Sequence, residues 1–307
     1  MRPLTAILLV RDAAAVLPGC LDSLAGVVDR LAVLDTGSRD GTRDLLAREA
    51  ARGRFAAVDV ARGDLAGGFG AARQRLLEMV PGGWVLWIDA DERLSPALRE
   101  TLARRRTGAD GSGDLPWGFR LPMTVEVMGR TLRCREVVRQ RHLRLFRRAG
   151  AAFRTDQAVH EGVAPPPGAA IGELAAPLHH LACPDPRAYL AKIARYTDLE
   201  APARARRSPA YLLAHLLVTG PATWWRLYAW RGCWRDGKAG LVWALLAAWS
   251  SVRRDLAALW FRRRGRRPGS GRGRSPAAAA PPGATSGPRP RRRRRGPAAA
   301  LRRRGGR

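Results

Sequence analysis

The chain has 307 residues, enough for one large or two small domains with a real core, and a formal net charge of +29 that is unevenly placed. Four cysteines (Cys20, Cys134, Cys183, Cys233) with no C-x-x-C pair fit neither a zinc site nor a disulfide framework and point to a reducing compartment. Met1 leads straight into an apolar run without an n-region or a small-residue cleavage site, so no signal peptide is expected and the protein is placed in the cytoplasm.

Residues 4–10 (LTAILLV) read as a first strand, and residues 16–28 show helical spacing. Residues 31–34 are a second apolar run that ends at Asp35, and Asp40 is placed to cap a helix over residues 42–51 with Leu45 and Leu46 facing inward. A third strand is expected over 55–60, a helix over 70–80, a fourth strand over 84–88, a helix over 96–106 and a polar, Gly-rich loop over 107–114. Strands alternating with helices of this length predict an α/β class with a mostly parallel sheet flanked by helices.

From residue 117 to 181 the pattern changes to short strand-like pieces (119–127, 142–146, 159–163) separated by turns, which predicts an antiparallel or mixed extension. After Pro186 the chain turns helical, over 188–205, 210–218, 221–234 and 239–259, with Gly220-Pro221 read as an interruption. This last third holds seven tryptophans among arginines, and no stretch in it reaches the roughly 20 apolar residues of a membrane span. Two readings stand: helices lying in the membrane interface, with indoles at headgroup depth and arginines snorkelling, or a helical cap packed on the sheet.

Residues 262–307 contain 17 Arg and no acidic residue, with an unbroken basic run at 291–295. Their Gly, Pro, Ala, Ser and Arg cannot bury enough apolar surface to order a core, so this tail is read as disordered. It is either a solvated extension or a binder of anionic lipid or nucleic acid. Only Lys192 and Lys238 are lysines.

The most informative stretch is WVLWIDADER, residues 84–93, an apolar strand that breaks into Asp89, Asp91 and Glu92. Carboxylates so close repel one another unless a cation or donors answer them, and Mg²⁺ or Mn²⁺ carrying a diphosphate would do so. A solvated turn or a helix cap is the alternative. Asp12 after strand one, Asp35 after strand two and Asp89 and Asp91 after strand four would all lie along one edge of a parallel sheet, where nucleotides bind.

Residues 4–24, 33–42 (VLDTGSRDGT) and 85–92 (VLWIDADE) resemble the nucleotide-binding half of family 2 inverting glycosyltransferases. RLFRR at 144–148, Val159-His160-Glu161 and GCWRDGKAGL at 232–241 narrow the resemblance to the branch containing lipopolysaccharide-core β-1,4-glucosyltransferases. It covers residues 4–255. It implies a GT-A-like, Rossmann-like domain over 1–183 (nucleotide-binding half 1–106, acceptor half 107–183) and a membrane-associated helical region over 184–261, ahead of the disordered tail.

The resemblance also assigns roles. Asp12, Asp35, Arg73 and Asp89 would bind the nucleotide sugar, with Asp35 on the uracil ring and Arg73 near the uridine or its phosphates. Asp91, Asp89 and His160 would hold a divalent Mn²⁺ or Mg²⁺, and Glu161 would be the base, with Asp156 as its rival. The reaction implied is metal-dependent, inverting transfer of a sugar, glucose being expected, from a UDP-sugar to an envelope or lipopolysaccharide-core saccharide at the inner face of the cytoplasmic membrane. Other readings are transfer to polyprenyl phosphate, a nucleotide-sugar binder without turnover, and a nucleic-acid-binding protein using the basic tail; specific nucleic-acid binding is not expected. Three features depart from the pattern: Arg11-Asp12-Ala13-Ala14 stands for Asn-Glu, Gln74 for Asn, and no Gly-Trp-x-Pro precedes RLFRR. Arg139, Arg141, Arg144, Arg147 and Arg148 read either as a surface for a phosphorylated acceptor or as a solvated basic strand.

Overall fold

The computed structural model describes residues 1, 3–107, 115–134, 140–154 and 162–265, all within one compact unit. The first part is four strands and four helices in alternation: β1 (Leu4–Val10), α1 (Leu17–Leu24), β2 (Arg30–Asp35), α2 (Thr42–Ala51), β3 (Ala57–Arg62), α3 (Gly68–Glu78), β4 (Trp84–Trp87) and, after a short β5 (Glu92–Leu94), α4 (Pro96–Thr107). β3, β2, β1 and β4 are parallel neighbours in that order.

Near-continuous apolar strands make sense because both faces are covered. Ile7, Ala32, Leu34, Val85 and Trp87 pack with Ala72, Leu76 and Leu77 of α3. Their neighbours Ala6, Leu8, Leu31, Val33, Trp84 and Leu86 turn to the other face, against Leu17, Leu21 and Leu24 of α1 and Leu98 and Leu102 of α4. Each fully buried leucine contributes about 1.5–3 kcal/mol relative to an exposed one.

The second part is β6 (Gly118–Val127), β7 (Arg130–Thr131), β8 (Arg141–Arg147), β9 (Ala152–Phe153), β10 (Val163–Ala164), β11 (Ile171–Glu173) and β12 (Leu178–Cys183). β8 pairs antiparallel with β4 and with β6, β12 runs parallel to β6, and β5 closes the row antiparallel to β12. The expected mixed extension is therefore continuous with the parallel half. β5 and β12 had no counterpart in the sequence pattern. The expected strand over 159–163 is described only from residue 162, and β10 begins at Val163; the loop expected over 107–114 lies outside the described residues after Thr107.

Three helices follow: α5 (Pro186–Arg204), α6 (Pro209–Trp225) and α7 (Gly237–Gly265), with a π-helical turn Arg226–Trp230 and a 3₁₀ turn Cys233–Asp236 between the last two. Asp185 caps α5 by accepting from the Arg187 (3.0 Å) and Ala188 (3.3 Å) N–H groups, and Ser208 caps α6 through Tyr211 N–H (3.2 Å).

Gly220-Pro221 does not interrupt α6, contrary to expectation. Pro221 lies on the exposed face, and Gly220 is buried where a Cβ would stand 2.7 Å from Val252 Cγ2. The glycine therefore serves close packing of α6 on α7 rather than a break. Asp255 of α7 is wholly buried; Arg204 Nε (2.6 Å) and His215 Nδ1 (2.6 Å) bond its two oxygens, tying α5, α6 and α7 together.

The helices sit on the second part of the sheet through a core of Val125, Val127, Cys134 and Cys183 with Ile193, Leu227, Cys233 and Leu246. The GCWRDGKAGL run makes the seam. Asp236 accepts from the Arg133 (3.0 Å) and Cys134 (3.1 Å) N–H groups, and Gly240 lies so close to the Cys233 carbonyl that a Cβ there would be 1.8 Å from its oxygen. Among the described residues no helix is long and apolar enough to cross a membrane.

Candidate active site

The VLDTGSRDGT run is spent largely on building one edge of a cleft. Asp35, at the end of β2, is buried; its carboxylate accepts from Ser38 N–H (2.8 Å) and Gly37 N–H (3.3 Å) and pairs with Arg43. Burial alone would raise its pKa, but the Ser38 and Arg43 bonds outweigh it and hold the group below the ordinary value. The rest of the run laces the end of β1. Ser38 Oγ accepts from Asp12 N–H (3.0 Å), Thr42 Oγ1 from Ala13 N–H (2.8 Å) and Asp40 from Ala14 N–H (2.9 Å). Asp12 returns a bond to Arg39 N–H (2.8 Å) from a left-handed backbone (φ 48°), a conformation Asp tolerates better than most residues. Asp40 also accepts from Thr42 N–H (3.0 Å), although Gly41 is the residue at the α2 cap.

At the end of β4 the three carboxylates have separate partners. Asp89 takes Arg73 at 2.8 Å and Arg144 at 3.5 Å, while Glu92 takes Arg144 at 2.7 Å and accepts from Asp89 N–H (2.9 Å). Both guanidiniums lie over the Trp87 ring, at 4.5 Å and 4.3 Å from its centroid, which pins them in place. Burial would raise the Asp89 pKa, but the two arginines hold it low. Glu92 is more deeply enclosed: burial pushes its pKa up, the Arg144 charge pulls it down, the Asp89 charge adds to the rise, and it stands at about 7.

Asp91 has different company. Lys192 Nζ lies 2.8 Å from its Oδ2 and His180 Nε2 3.5 Å from the same oxygen. His180 is held there by the sheet: it pairs with Glu92 in the β12–β5 ladder, and Leu181 N–H donates to the Asp91 carbonyl (2.9 Å). Burial opposes the charged form of all three groups, yet their mutual attraction lowers the Asp91 pKa well below the carboxylate range and raises those of His180 and Lys192.

These groups line a cavity of about 680 Å³. Asp12 and Thr36 come from the β1 and β2 ends, Phe69 and Arg73 from α3, Asp89 and Asp91 from the β4 end and His180 from β12. Lys192, Arg195 and Tyr196 of α5 close it from above the strand ends.

Of the residues expected at the site, the fold brings Asp12, Arg73, Asp89 and Asp91 to this cavity. Asp35 is not among the lining residues: its carboxylate is turned into the β2–α2 loop and held by Arg43, and Thr36 faces the cavity in its place. Asp156, His160 and Glu161 lie outside the described residues. The residues on either side, Arg154 and Gly162, are joined by a backbone hydrogen bond (3.0 Å), and Phe153 packs edge-on against Trp87 (5.1 Å).

The arginines of the basic strand differ in their surroundings: Arg141 and Arg147 are exposed, and Arg141 pairs with Glu173 (3.5 Å). Arg144 is buried against Asp89 and Glu92, Arg147 lies over Trp84 (5.1 Å) and Arg148 Nε donates to the Leu77 carbonyl (2.8 Å); Arg139 lies outside the described residues. His180, Lys192 and Arg195 were missed. For Lys192 a signal existed, since it is one of two lysines among 55 basic residues.

Residues 5–115 match the model of the glycosyl transferase family 2. The sequence is 29% identical over 249 residues to the lipopolysaccharide core biosynthesis glycosyltransferase LpsC of Rhizobium meliloti (strain 1021), covering 80% of this chain and 88% of that protein. The protein is a glycosyltransferase with a family 2 domain. Its parallel half with a mixed extension is the α/β arrangement expected, a mostly parallel sheet flanked by helices. Solved structures similar to it include residues 1–349 of S. aureus TarS (14% identity, TM-score 0.43, covering 85% of this chain and 91% of that one). Another is the mannosyltransferase PcManGT from Pyrobaculum calidifontis, solved with GDP-Man and Mn²⁺ (18% identity, TM-score 0.43, covering 87% and 76%).

Proposed function

We propose that the protein is a metal-dependent inverting glycosyltransferase that moves a sugar, with glucose expected, from a UDP-sugar to a saccharide of the lipopolysaccharide core or envelope. The observation that carries this reading is the cavity in which Asp91 and His180 stand side by side at the β4 end, below Lys192 and Arg195. The acceptor class rests on the similarity to LpsC.

A divalent ion fits the donor set. Among the described residues no three His, Cys, Asp or Glu side chains cluster as a complete cage. Asp91 and His180 supply one hard oxygen and one nitrogen, and Mg²⁺ or Mn²⁺ at nucleotide sites takes its remaining ligands from phosphate and water. A bound ion would neutralise the charge that builds on the departing diphosphate. Asp89, fixed between Arg73 and Arg144, lines the same cavity two residues before Asp91. Lys192 and Arg195 stand where the diphosphate would lie.

Transfer is a single displacement. The acceptor oxygen forms a bond to the anomeric carbon as that carbon's bond to the diphosphate oxygen breaks, and the electron pair leaves with UDP. The hydroxyl proton passes to a carboxylate, for which Glu161 is proposed and Asp156 is the rival. One displacement on an α-linked donor gives a β-linked product.

The helical region supports a site at the cytoplasmic face of an anionic membrane. Leu213, Leu217, Pro221 and Trp225 follow one another at four-residue intervals along α6, all exposed, Leu217 to 76%, and no charged residue occurs from Ser208 to Trp225. A second exposed row, Leu245, Trp249, Leu256 and Trp260, runs along α7, and Trp230 between the helices is 78% exposed. A stripe of this kind with arginines at its end suits insertion at headgroup depth. Incubating the protein with Mn²⁺ and a panel of UDP-sugars in the presence of lipopolysaccharide-core acceptor should release UDP with one donor preferred; release with no donor in the panel refutes the reading.

A further inference from the structure

One turn of α5 reaches three separate walls of the cavity. Lys192, Arg195 and Tyr196 share a face of the helix at i, i+3 and i+4. Lys192 pairs with Asp91 at the β4 end (2.8 Å), Arg195 faces Asp12 at the β1 end (3.8 Å), and Tyr196 stacks on Phe69 of α3 (5.6 Å between centroids, 2° between planes). Resting on the sugar-nucleotide reading above, we propose that Lys192 is a partner-exchanging cation: it neutralises Asp91 while no divalent ion is bound, and moves to a diphosphate oxygen when metal and nucleotide enter together.

The charges around Asp91 motivate this exchange. A largely buried carboxylate needs a counter-charge, and removing its partner is costly. Lys192 and His180 provide that charge in the structure. A divalent ion on the same oxygen would place the ammonium within a few ångströms of a double positive charge, and the repulsion would displace the more mobile cation. That cation is Lys192, a point charge on a flexible four-carbon stem bordering open cavity. Arg73 and Arg144 cannot take this part, because each is held by a carboxylate and the Trp87 ring. The negative charge arriving with the metal is the diphosphate, so the ammonium leaving Asp91 has an acceptor beside it.

The same residue should therefore oppose metal alone and favour nucleotide. In the full-length protein, Lys192→Met should bind Mn²⁺ without nucleotide more tightly, by roughly threefold to tenfold, read by electron paramagnetic resonance of free Mn²⁺. The same variant should bind UDP in saturating Mn²⁺ more weakly, by on the order of tenfold, read by titration calorimetry. Lys192→Arg should keep the metal affinity near that of the wild type and recover part of the UDP affinity. Opposite signs in the two titrations support the exchange. Unchanged affinities in Lys192→Met overturn it, and so do two affinities that fall together and recover together in Lys192→Arg, which mark a merely structural role. A wild type that binds no UDP with Mn²⁺ overturns the sugar-nucleotide reading and the exchange with it; a wild type that binds UDP beside an unchanged variant overturns the exchange alone.

Discussion

The N-terminal α/β half and the C-terminal helices treat polar side chains in opposite ways. In residues 1–107 the carboxylates and hydroxyls near the cleft are tied mostly to backbone and arginines close by, as with Asp35, Ser38, Asp40 and Thr42, and the surface they build is fixed. In residues 186–265 the packed polar groups are few, exposed apolar rows run along α6 and α7, and one helical turn reaches across the chain to the cleft, Lys192 meeting a carboxylate 101 residues away. The first region is a cradle that builds its edge of the cleft from side chains tied in place; the second brings Lys192 to the cleft and carries the exposed apolar rows proposed to meet a membrane.

The comparison is sharpest at Asp91. Asp91→Ala should lower turnover by on the order of 10³-fold, because it removes the carboxylate proposed to hold the metal. The fold should persist, with a melting temperature lowered less than in Asp255→Ala. Lys192 and His180 lose their partner but border the cavity, and among the described residues no backbone N–H depends on the side chain. A loss of activity matched by global unfolding would mean that Asp91 belongs to the scaffold.

In the helical region the corresponding buried carboxylate is structural. Asp255→Ala leaves Arg204 and His215 without their partner, and chemical denaturation should show a loss of about 3–5 kcal/mol. A loss below about 1 kcal/mol would show that the helices are held by apolar packing alone.

The apolar stripe gives the next effect. Leu217→Glu should reduce co-sedimentation with anionic vesicles by roughly tenfold or more, since it puts a charge where this exposed leucine is proposed to enter the interface, while UDP affinity stays unchanged. Unaltered vesicle binding, or a dimer of the wild type that the substitution dissociates, would assign the stripe to protein contact.

The smallest effect concerns the cradle. Asp35→Asn should destabilise the protein by about 1–3 kcal/mol at neutral pH by weakening bonds to Gly37, Ser38 and Arg43. The folded-state pKa of Asp35 lies below its ordinary 3.8, so its contribution is present above that pH and is lost as pH falls through the folded value. The stability difference between wild type and variant should close in that acid window; a difference constant with pH would show that shape, not charge, is what Asp35 provides.

Much of the cradle was legible in the sequence. β1 and α2 fall on the expected residues, because an apolar run bounded by polar residues and an aspartate just ahead of a helix are local signals. The convergence of Asp12, Asp89 and Asp91 followed from parallel strands ending along one edge. Asp35 shows the limit of that reasoning: a conspicuous carboxylate at a strand end can serve its own loop. His180 and Lys192 escaped because nothing local marks them. LHHLAC becomes a strand only by pairing with β6 and β5, and Lys192 reaches Asp91 only through packing of α5 on the sheet. Gly220 misled because a glycine that permits close helix packing reads the same as one that ends a helix.

The account rests on a divalent ion and a nucleotide meeting at the β4 end. Anomalous diffraction at the manganese edge from crystals grown with UDP and Mn²⁺ tests this directly. The prediction is one strong peak in coordination contact with Asp91 and His180, bridged to diphosphate density beneath Lys192; a peak elsewhere, or UDP ordered in another part of the molecule, would contradict it.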